Sequence, residues 1–325
     1  MKKEHGIIIL GAVFYGTVIV GGQFFVELGL SLFQISLFSM LLLLACMAPV
    51  VMLKPEYLMP KRYLWFFVVY GLIGAGAELA QFGGLFFGVP VAVIAFLFYT
   101  QPLWTIVLGR IILQEPISIR KVLATVFALA GGLILLGAAS SGIKSASITG
   151  LVISVAGGIL FSLWVIWGRK SGISDLHFVT TTFGAATFTT LWLILSWPIL
   201  SWLIQDPSLV GLSPSLPARH WFYLLIFTIV GGLIPNLCFF RGLQGVEAGV
   251  AGIILLLEPV IASVLAWVVF SQRPGALTVL GAILILVANY FVNTSRSWAT
   301  EKVLVLGFLC ATSVSSVSLW LMNSE

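Results

Sequence analysis

Residues 88–115, GVPVAVIAFLFYTQPLWTIVLGRIILQE, and residues 245–272, GVEAGVAGIILLLEPVIASVLAWVVFSQ, decide the reading of this chain. The two segments lie 157 residues apart and align without a gap. They share six identities, including Gly88 with Gly245 and Pro102 with Pro259. The alignment also sets Gln101 against Glu258, so a polar residue stands beside a proline in the middle of each apolar run. Recurrence over such a distance marks an internal duplication. Proline-interrupted apolar segments in matching positions of two halves point to a site inside a membrane.

Composition excludes a water-soluble domain. With 60% hydrophobic and 8% charged residues and a mean hydropathy of +1.14, polar side chains are too few to cover a wetted surface. The chain is read as an all-α polytopic membrane protein. A span takes about 20 apolar residues. Cutting at charges and turn residues predicts ten transmembrane helices near 6–26, 32–53, 63–82, 88–112, 119–139, 148–168, 178–204, 219–240, 246–270 and 274–293. The stretch DPSLVGLSPSLPAR at 206–219 reads as a loop. Residues 303–322 are long enough for an eleventh span, which is the expectation, although their serines also suit a helix lying on the bilayer surface. The opening MKKEHG with its apolar run is expected to be an uncleaved first helix, because no small-residue cleavage site follows it. Cys46, Cys238 and Cys310 fall in apolar segments without CxxC spacing and read as inert thiols.

Orientation follows from the basic residues. With a cytoplasmic N-terminus, the inner side is expected to hold Lys2, Lys3, Lys54, Lys61, Arg62, Arg110, Arg120, Lys121, Arg169, Lys170, Arg273, Arg296 and Lys302, against Lys144, Arg219 and Arg241 outside. The formal charge of +5 therefore reports topology and contact with membrane lipid, with no basic stripe for nucleic acid. Because five helices per repeat is an odd number, the second copy enters the bilayer from the opposite face. Two inverted five-helix repeats, 1–143 and 144–295, are expected, followed by a C-terminal extension at 296–325. Inverted repeats place a solute site near the midplane and expose it to each side in turn, which is a mechanism of transport.

The stretch EPVIASVLAWVVFSQRPGALTVLGAILILVAN, preceded by FFRGLQGVEAGVAGIILLL, resembles the second half of an EamA-type transporter of the drug/metabolite transporter superfamily. FYG at 14–16, FFGVPVAVIAFLFYTQPLW and ILQEPISIRKVLATVFALAGGLILL match the first half more loosely. The resemblance covers about residues 6–293 and implies ten helices, inverted 5+5 repeats and movement of small metabolites, often amino acids. Two positions depart from the pattern: Gln272 stands where the second-half counterpart of Glu115 is often acidic, and Gln101 replaces the first-half glutamate.

Depth and helical face select the candidate substrate-binding residues. Glu258 lies near the bilayer centre, where an exposed charge costs about 2.5–3.5 kcal/mol, and so must face protein or water. Glu247, Ile254 and Glu258 form one stripe, expected to run from the outer mouth inward, and Leu97, Gln101, Trp104 and Leu108 form its counterpart. The pair Gln101 and Glu258 reads either as a substrate and proton site or as a patch for backbone groups freed at the helix breaks of Pro102 and Pro259. Glu78 and Gln81 share a face of the third helix, where Glu78 either binds solute or reaches water. Asn236, beside the break at Pro235, either binds a ligand or mends the helix ladder. Trp164 reads as an interfacial belt residue or a cavity wall. His5, His177 and His220 are expected to be solvated, without a metal partner. No HExxH, GxSxG or Walker motif is present in the sequence, so the reading is of no enzyme, no cofactor and no metal, with proton coupling through Glu258 if an ion drives transport. The other reading of the same fold is a flippase-like or non-transporting scaffold protein.

Overall fold

A computed structural model describes residues 3–137 and 147–293, except 88, 90, 214, 272 and 273. The expectations that rest on Gly88, Lys144, Gln272, Arg273, Cys310, the segment 303–322 and the extension 296–325 lie outside these residues. The described residues are helical with short connections and contain no strand. That is the outcome hydrocarbon imposes, since backbone polar groups without water must be satisfied within a helix.

Ten membrane-length paths were expected. Among the described residues, eight helical stretches are long and apolar enough to cross a bilayer, with a shorter apolar helix over Ala276–Val292. The helices are α1 (Lys3–Glu27), α2 (Leu32–Leu53), α3 (Leu64–Phe86), α4 (Val91–Phe98), α5 (Gln101–Ile112), α6 (Ile119–Gly137), α7 (Ile148–Ile173), α8 (Phe178–Leu203), the short α9 (Pro207–Val210), α10 (Ala218–Phe227), α11 (Ile234–Leu243), α12 (Ala248–Leu255), α13 (Leu257–Phe270) and α14 (Ala276–Asn293). The expected fourth span is two helices, α4 and α5, and the expected ninth is α12 and α13. Pro102 and Pro259, which cannot donate to the preceding turn, sit in the first turn of the second member of each pair. Between α10 and α11 the chain adopts a π-helical stretch, Thr228–Leu233, which ends two residues before Pro235.

Helix ends are closed locally. The Ser31 hydroxyl accepts from the Gln34 amide to cap α2, and the His177 Nδ1 accepts from the Val179 amide to cap α8. His177 also stacks on Tyr57 at 4.5 Å, and His220 is buried at 8% exposure. The expectation of solvated histidines therefore fails at His220, because the start of α10 packs against neighbouring elements, while His177 remains partly exposed.

Two long helices pack reciprocally: α1 lies on α11 and α13, and α7 on α3, α4 and α5. The core between them contains Phe67, Tyr70, Val165, Ile166, Phe239, Phe240, Leu243 and Ile254. Outward faces carry exposed apolar side chains such as Trp65, Ile148 and Trp202, a surface suited to lipid. Close approach needs small residues where α7 and α1 cross the two breaks. A Cβ on Gly158 would lie 2.8 Å from the Leu97 carbonyl oxygen, and one on Gly16 would lie 3.2 Å from that of Glu258 and 2.6 Å from the Ile261 Cβ.

One side assignment is corrected. Arg169 Nη1 donates to the Leu243 and Gln244 carbonyls at 2.7 and 2.8 Å, and Glu247 pairs with Lys121. Arg241 and Glu247 thus share the bundle end of Lys121 and Arg169, opposite to the side the sequence reading gave them. Consistent counting of the ten expected spans agrees with the correction: seven of them precede the expected span 219–240, which returns the chain to the side of its N-terminus. Ser271 and Gly275 follow one further path, Ala248–Val268, and lie at the other end.

Candidate functional site

The breaks bring polar side chains to the middle of the bundle. Glu258 sits in the first turn of α13, where unpaired amides of a helix N-terminus favour an anion. Its hydrogen-bond partner is Tyr99, in the turn between α4 and α5. Glu78, from α3, lies close enough to Glu258 for the two charges to interact, and Ser36 of α2 donates to its Oε2 at 3.3 Å. Tyr15 of α1 is within electrostatic reach of Glu258, Glu78 and Cys238, and its hydroxyl is buried without a hydrogen-bond partner among the described residues.

An aromatic column borders this cluster. Phe98, one residue before Tyr99, stacks on Phe161 at 4.9 Å, and Phe161 stacks on Trp164 at 5.7 Å. Trp164 lies almost parallel to Phe239 at 5.2 Å, and the Phe239 ring meets Tyr15 edge-on at 6.2 Å. Trp164 is therefore in the interior, so the interfacial belt reading is replaced by that of a packed wall. Trp167 lies under the Lys170 ammonium at 5.4 Å.

The other candidates are used differently. Gln101 is 1% exposed and packs where a Cβ on Gly252 would come within 3.1 Å of its Nε2, which has no hydrogen-bond partner among the described residues. The Trp104 indole donates to Thr100, whose hydroxyl donates to the Leu97 carbonyl, so these two side chains fasten the α4–α5 turn. Asn236 Nδ2 donates to the Gly232 carbonyl at 2.8 Å across the π-helical stretch, which is the ladder-mending arrangement. Gln81 lies on α3, but its side chain is outside the described residues. No group of metal-binding side chains occurs among the described residues. Sequence reasoning missed Tyr15, Ser36 and Tyr99 as neighbours of the glutamates, although Tyr15 lies in the FYG motif and Tyr99 two residues before Gln101.

At the end that carries Arg169, a second polar cluster clamps the turn between α11 and α12. Gln114, in the left-handed conformation at φ 57°, turns the chain after α5, and the adjacent Glu115 carboxylate accepts from the Ala248 and Gly249 amides at 2.9 and 3.4 Å. A carboxylate at the start of α12 and the Arg169 guanidinium on the last carbonyls of α11 both match the helix dipoles. Arg169 Nε stands 3.6 Å from Glu115 Oε1, and Lys121 joins Glu247 while donating to the Pro116 carbonyl. Burial pushes the Glu115 carboxyl above the usual carboxylate range, with the Ala248 amide pulling in the other direction.

The chain matches the EamA-like transporter family over residues 3–137 and again over 148–294. It is 24% identical to Protein PecM of Dickeya dadantii (strain 3937) over 264 residues, covering 80% of this chain and 84% of that protein. It is 22% identical to an uncharacterized transporter of Clostridium kluyveri over 312 residues, covering 93% and 96% of the two. A crystal structure of a protein 16% identical to this chain superposes with a TM-score of 0.71 over 89% of this chain and 96% of the other, a likeness of fold. An interior bordered by broken helices, a surface suited to lipid and a family match spanning both halves lead to one statement: this chain belongs to the EamA-like transporter family.

Proposed function

We propose that the protein is a secondary transporter that exports a small metabolite, amino acid-like or related, by alternating access, with Glu258 exchanging a proton in the cycle. The observation that carries this reading is a carboxylate at a helix break in the bundle centre whose partner is the hydroxyl of Tyr99 rather than a cation. Such a group is costly to keep charged in hydrocarbon, and the cost is relieved when a proton or a solute arrives.

The arrangement as two inverted repeats of five helices, ten in all, is part of the proposal. It is supported by the reciprocal packing of α1 and α7, and by the breaks at Pro102 and Pro259. It is further supported by the left-handed residues Gln114 and Ser271, which both have φ 57° and stand at matching positions of the two segments. With the N-terminus in the cytoplasm, the clamp of Glu115, Lys121, Arg169 and Glu247 closes the cytoplasmic end of a protein of the cytoplasmic membrane. A proton that loads Glu258 from outside and leaves inside as solute takes its place drives export. A flippase needs a lateral cleft that admits a headgroup. The groove of about 390 Å3 between α4 and α7 is lined by Leu97, Leu151, Val152, Val155, Ala156 and Ile159 and offers no polar side chain.

The test is flux in vesicles reconstituted with the full chain under an imposed pH gradient, with labelled amino acids and related metabolites. Wild type accumulates its solute against a gradient, whereas Glu258→Gln exchanges it without accumulation. Wild-type accumulation by Glu258→Gln would end the role assigned to this residue.

A further inference from the structure

We propose that the bundle end that carries Arg169, cytoplasmic in the orientation proposed above, is a binding face for anionic phospholipid headgroups, built around a row of aromatic rings with a cation at each end. In this row Tyr57, in the connection between α2 and α3, stacks on His177 at 4.5 Å, and His177 meets Phe178 at 4.3 Å. Lys54 Nζ stands 5.7 Å from the centre of the Tyr57 ring, and Arg241 Cζ, in the last turn of α11, stands 5.6 Å from that of Phe178. Both charges are felt at His177. The Tyr63 hydroxyl donates to the Ser174 carbonyl at 3.4 Å and so ties the α2–α3 and α7–α8 connections together.

The first argument is one of unpaired charge. Lys54, Lys61, Arg62, Lys170 and Arg241 are exposed, and none of them forms an ion pair among the described residues. Lys54 and Arg241 lie over rings of the row, Arg62 stands 4.9 Å from the Tyr63 ring and Lys170 5.4 Å from that of Trp167. An aromatic face orients a cation while leaving its N–H donors available to phosphate oxygens. Arg241 is held in place by donating from Nη1 to Gln244 Oε1, while Gln244 Nε2 donates to the Leu176 carbonyl. The exposed carboxylates in the same connections are Glu56 and Asp175, so the face keeps an excess of positive charge.

The second argument is one of depth. Leu53, next to Lys54, is 83% exposed, and Trp65, one turn from Arg62, is 79% exposed. Large apolar side chains so placed belong at the edge of hydrocarbon, which sets the neighbouring cations at headgroup level. A soluble phosphate or an acidic peptide would meet the cations and leave the apolar side chains uncovered. A phospholipid meets both at once, and an anionic one adds the attraction of its headgroup for Lys and Arg.

Dioleoyl phosphatidylglycerol and dioleoyl phosphatidylcholine, which share their acyl chains and differ in net charge, provide the test on the purified full chain in neutral detergent. Apparent affinity is read from the rise of the unfolding midpoint with lipid concentration. Phosphatidylglycerol should bind tighter than phosphatidylcholine by about tenfold or more, and the difference should shrink in about 0.5 M salt. Removing a cation should weaken phosphatidylglycerol binding by about fivefold, so Lys54→Gln with Arg241→Gln, and separately Lys61→Gln with Arg62→Gln, should each lose about 25-fold. A wild-type midpoint in detergent alone shows that each variant is folded. Arg219→Gln, at the other end of the bundle, should lose nothing. Equal affinity for the two lipids would overturn the proposal, as would wild-type affinity in both folded double variants. An equal loss in Arg219→Gln would overturn it in favour of overall charge, and displacement of the lipid by an equal concentration of glycerol phosphate would overturn it in favour of a soluble phosphate. None of these measurements reads flux, so failure here leaves the transport reading intact, and failure of transport leaves the lipid face intact.

Discussion

The two broken helices carry the same proline and opposite polar neighbours. At the α4–α5 break the polar residue is Gln101, 1% exposed and packed against the Gly252 backbone, while Thr100 and Trp104 tie the turn together through the Leu97 carbonyl. At the α12–α13 break the turn is apolar, Leu256 and Leu257, and the polar residue is the partly exposed Glu258, which meets Tyr99 from the other break. One copy of the duplicated segment thus supplies a stiff elbow and a hydroxyl, and the other supplies the group that can change charge. A duplication gives two equivalent frames. Divergence at one position per frame, Gln against Glu, puts a permanently neutral group at one break and a titratable one at the other.

The largest effect should come from exchanging those roles. Glu258→Gln is expected to abolish accumulation driven by a pH gradient, whereas Gln101→Leu should keep it in the same vesicle assay. The leucine removes a buried amide that lacks a partner and replaces it with apolar bulk, a change that is near neutral or stabilising, so thermal unfolding should move by about 1 kcal/mol or less. Loss of accumulation in folded Gln101→Leu would show that both breaks take part in solute handling.

Next come the crossings over the breaks. Gly158→Val sets side-chain atoms against the Leu97 and Phe98 carbonyls, and Gly16→Val against Ile261 and the Glu258 carbonyl. Overpacking costs about 1–3 kcal/mol. The Gly16 variant should suffer more, because the Ile261 Cβ stands closer, at 2.6 Å against 2.8 Å for the Leu97 oxygen, and both atoms move only with the backbone. Melting of the two variants in detergent measures the difference, and a larger loss for Gly158→Val would mean that the α4–α5 break is the stiffer one.

A smaller effect is expected at the clamp. Burial raises the proton affinity of Glu115 in the fold, so the folded state holds this proton more tightly than the unfolded chain does. The contribution of Glu115 to stability is therefore greatest below the ordinary carboxylate range and declines as pH rises through its raised value. Glu115→Gln should remove that slope from the pH dependence of the unfolding midpoint, and an unchanged slope would assign it to other groups. The smallest effect is at His177, whose pKa is lowered by burial, with Arg241 adding to the shift. The neutral ring that caps α8 is stabilising above about pH 6.5 and loses this contribution on acidification through the lowered value. His177→Ala should cost about 1 kcal/mol at neutral pH, the usual worth of such a cap, and less in acid.

The family and the membrane class were legible in the sequence because apolar run length and an internal duplication are local and additive signals. The split of the fourth and ninth paths was legible only as two prolines, since a proline marks a possible break without fixing whether the helix bends or divides. The side of Arg241 required no tertiary contact, only consistent counting of crossings, and the structure supplied that count through Arg169, Lys121 and Glu247.

What the sequence determined by itself was that this chain must be helical in a bilayer, and that two of its apolar segments match, with Glu258 beside the proline of one of them. Each of these follows from hydrogen bonding and hydration along a single segment. The tertiary structure decided that Tyr99 rather than Gln101 meets Glu258, that Trp164 stacks in the interior, that Glu78 joins the central cluster, and that Glu115 caps a helix belonging to the other half. In lipid, apolar residues face one another and the solvent alike, so the azimuth of each helix is set by close packing at its neighbours' small residues, which no single segment contains.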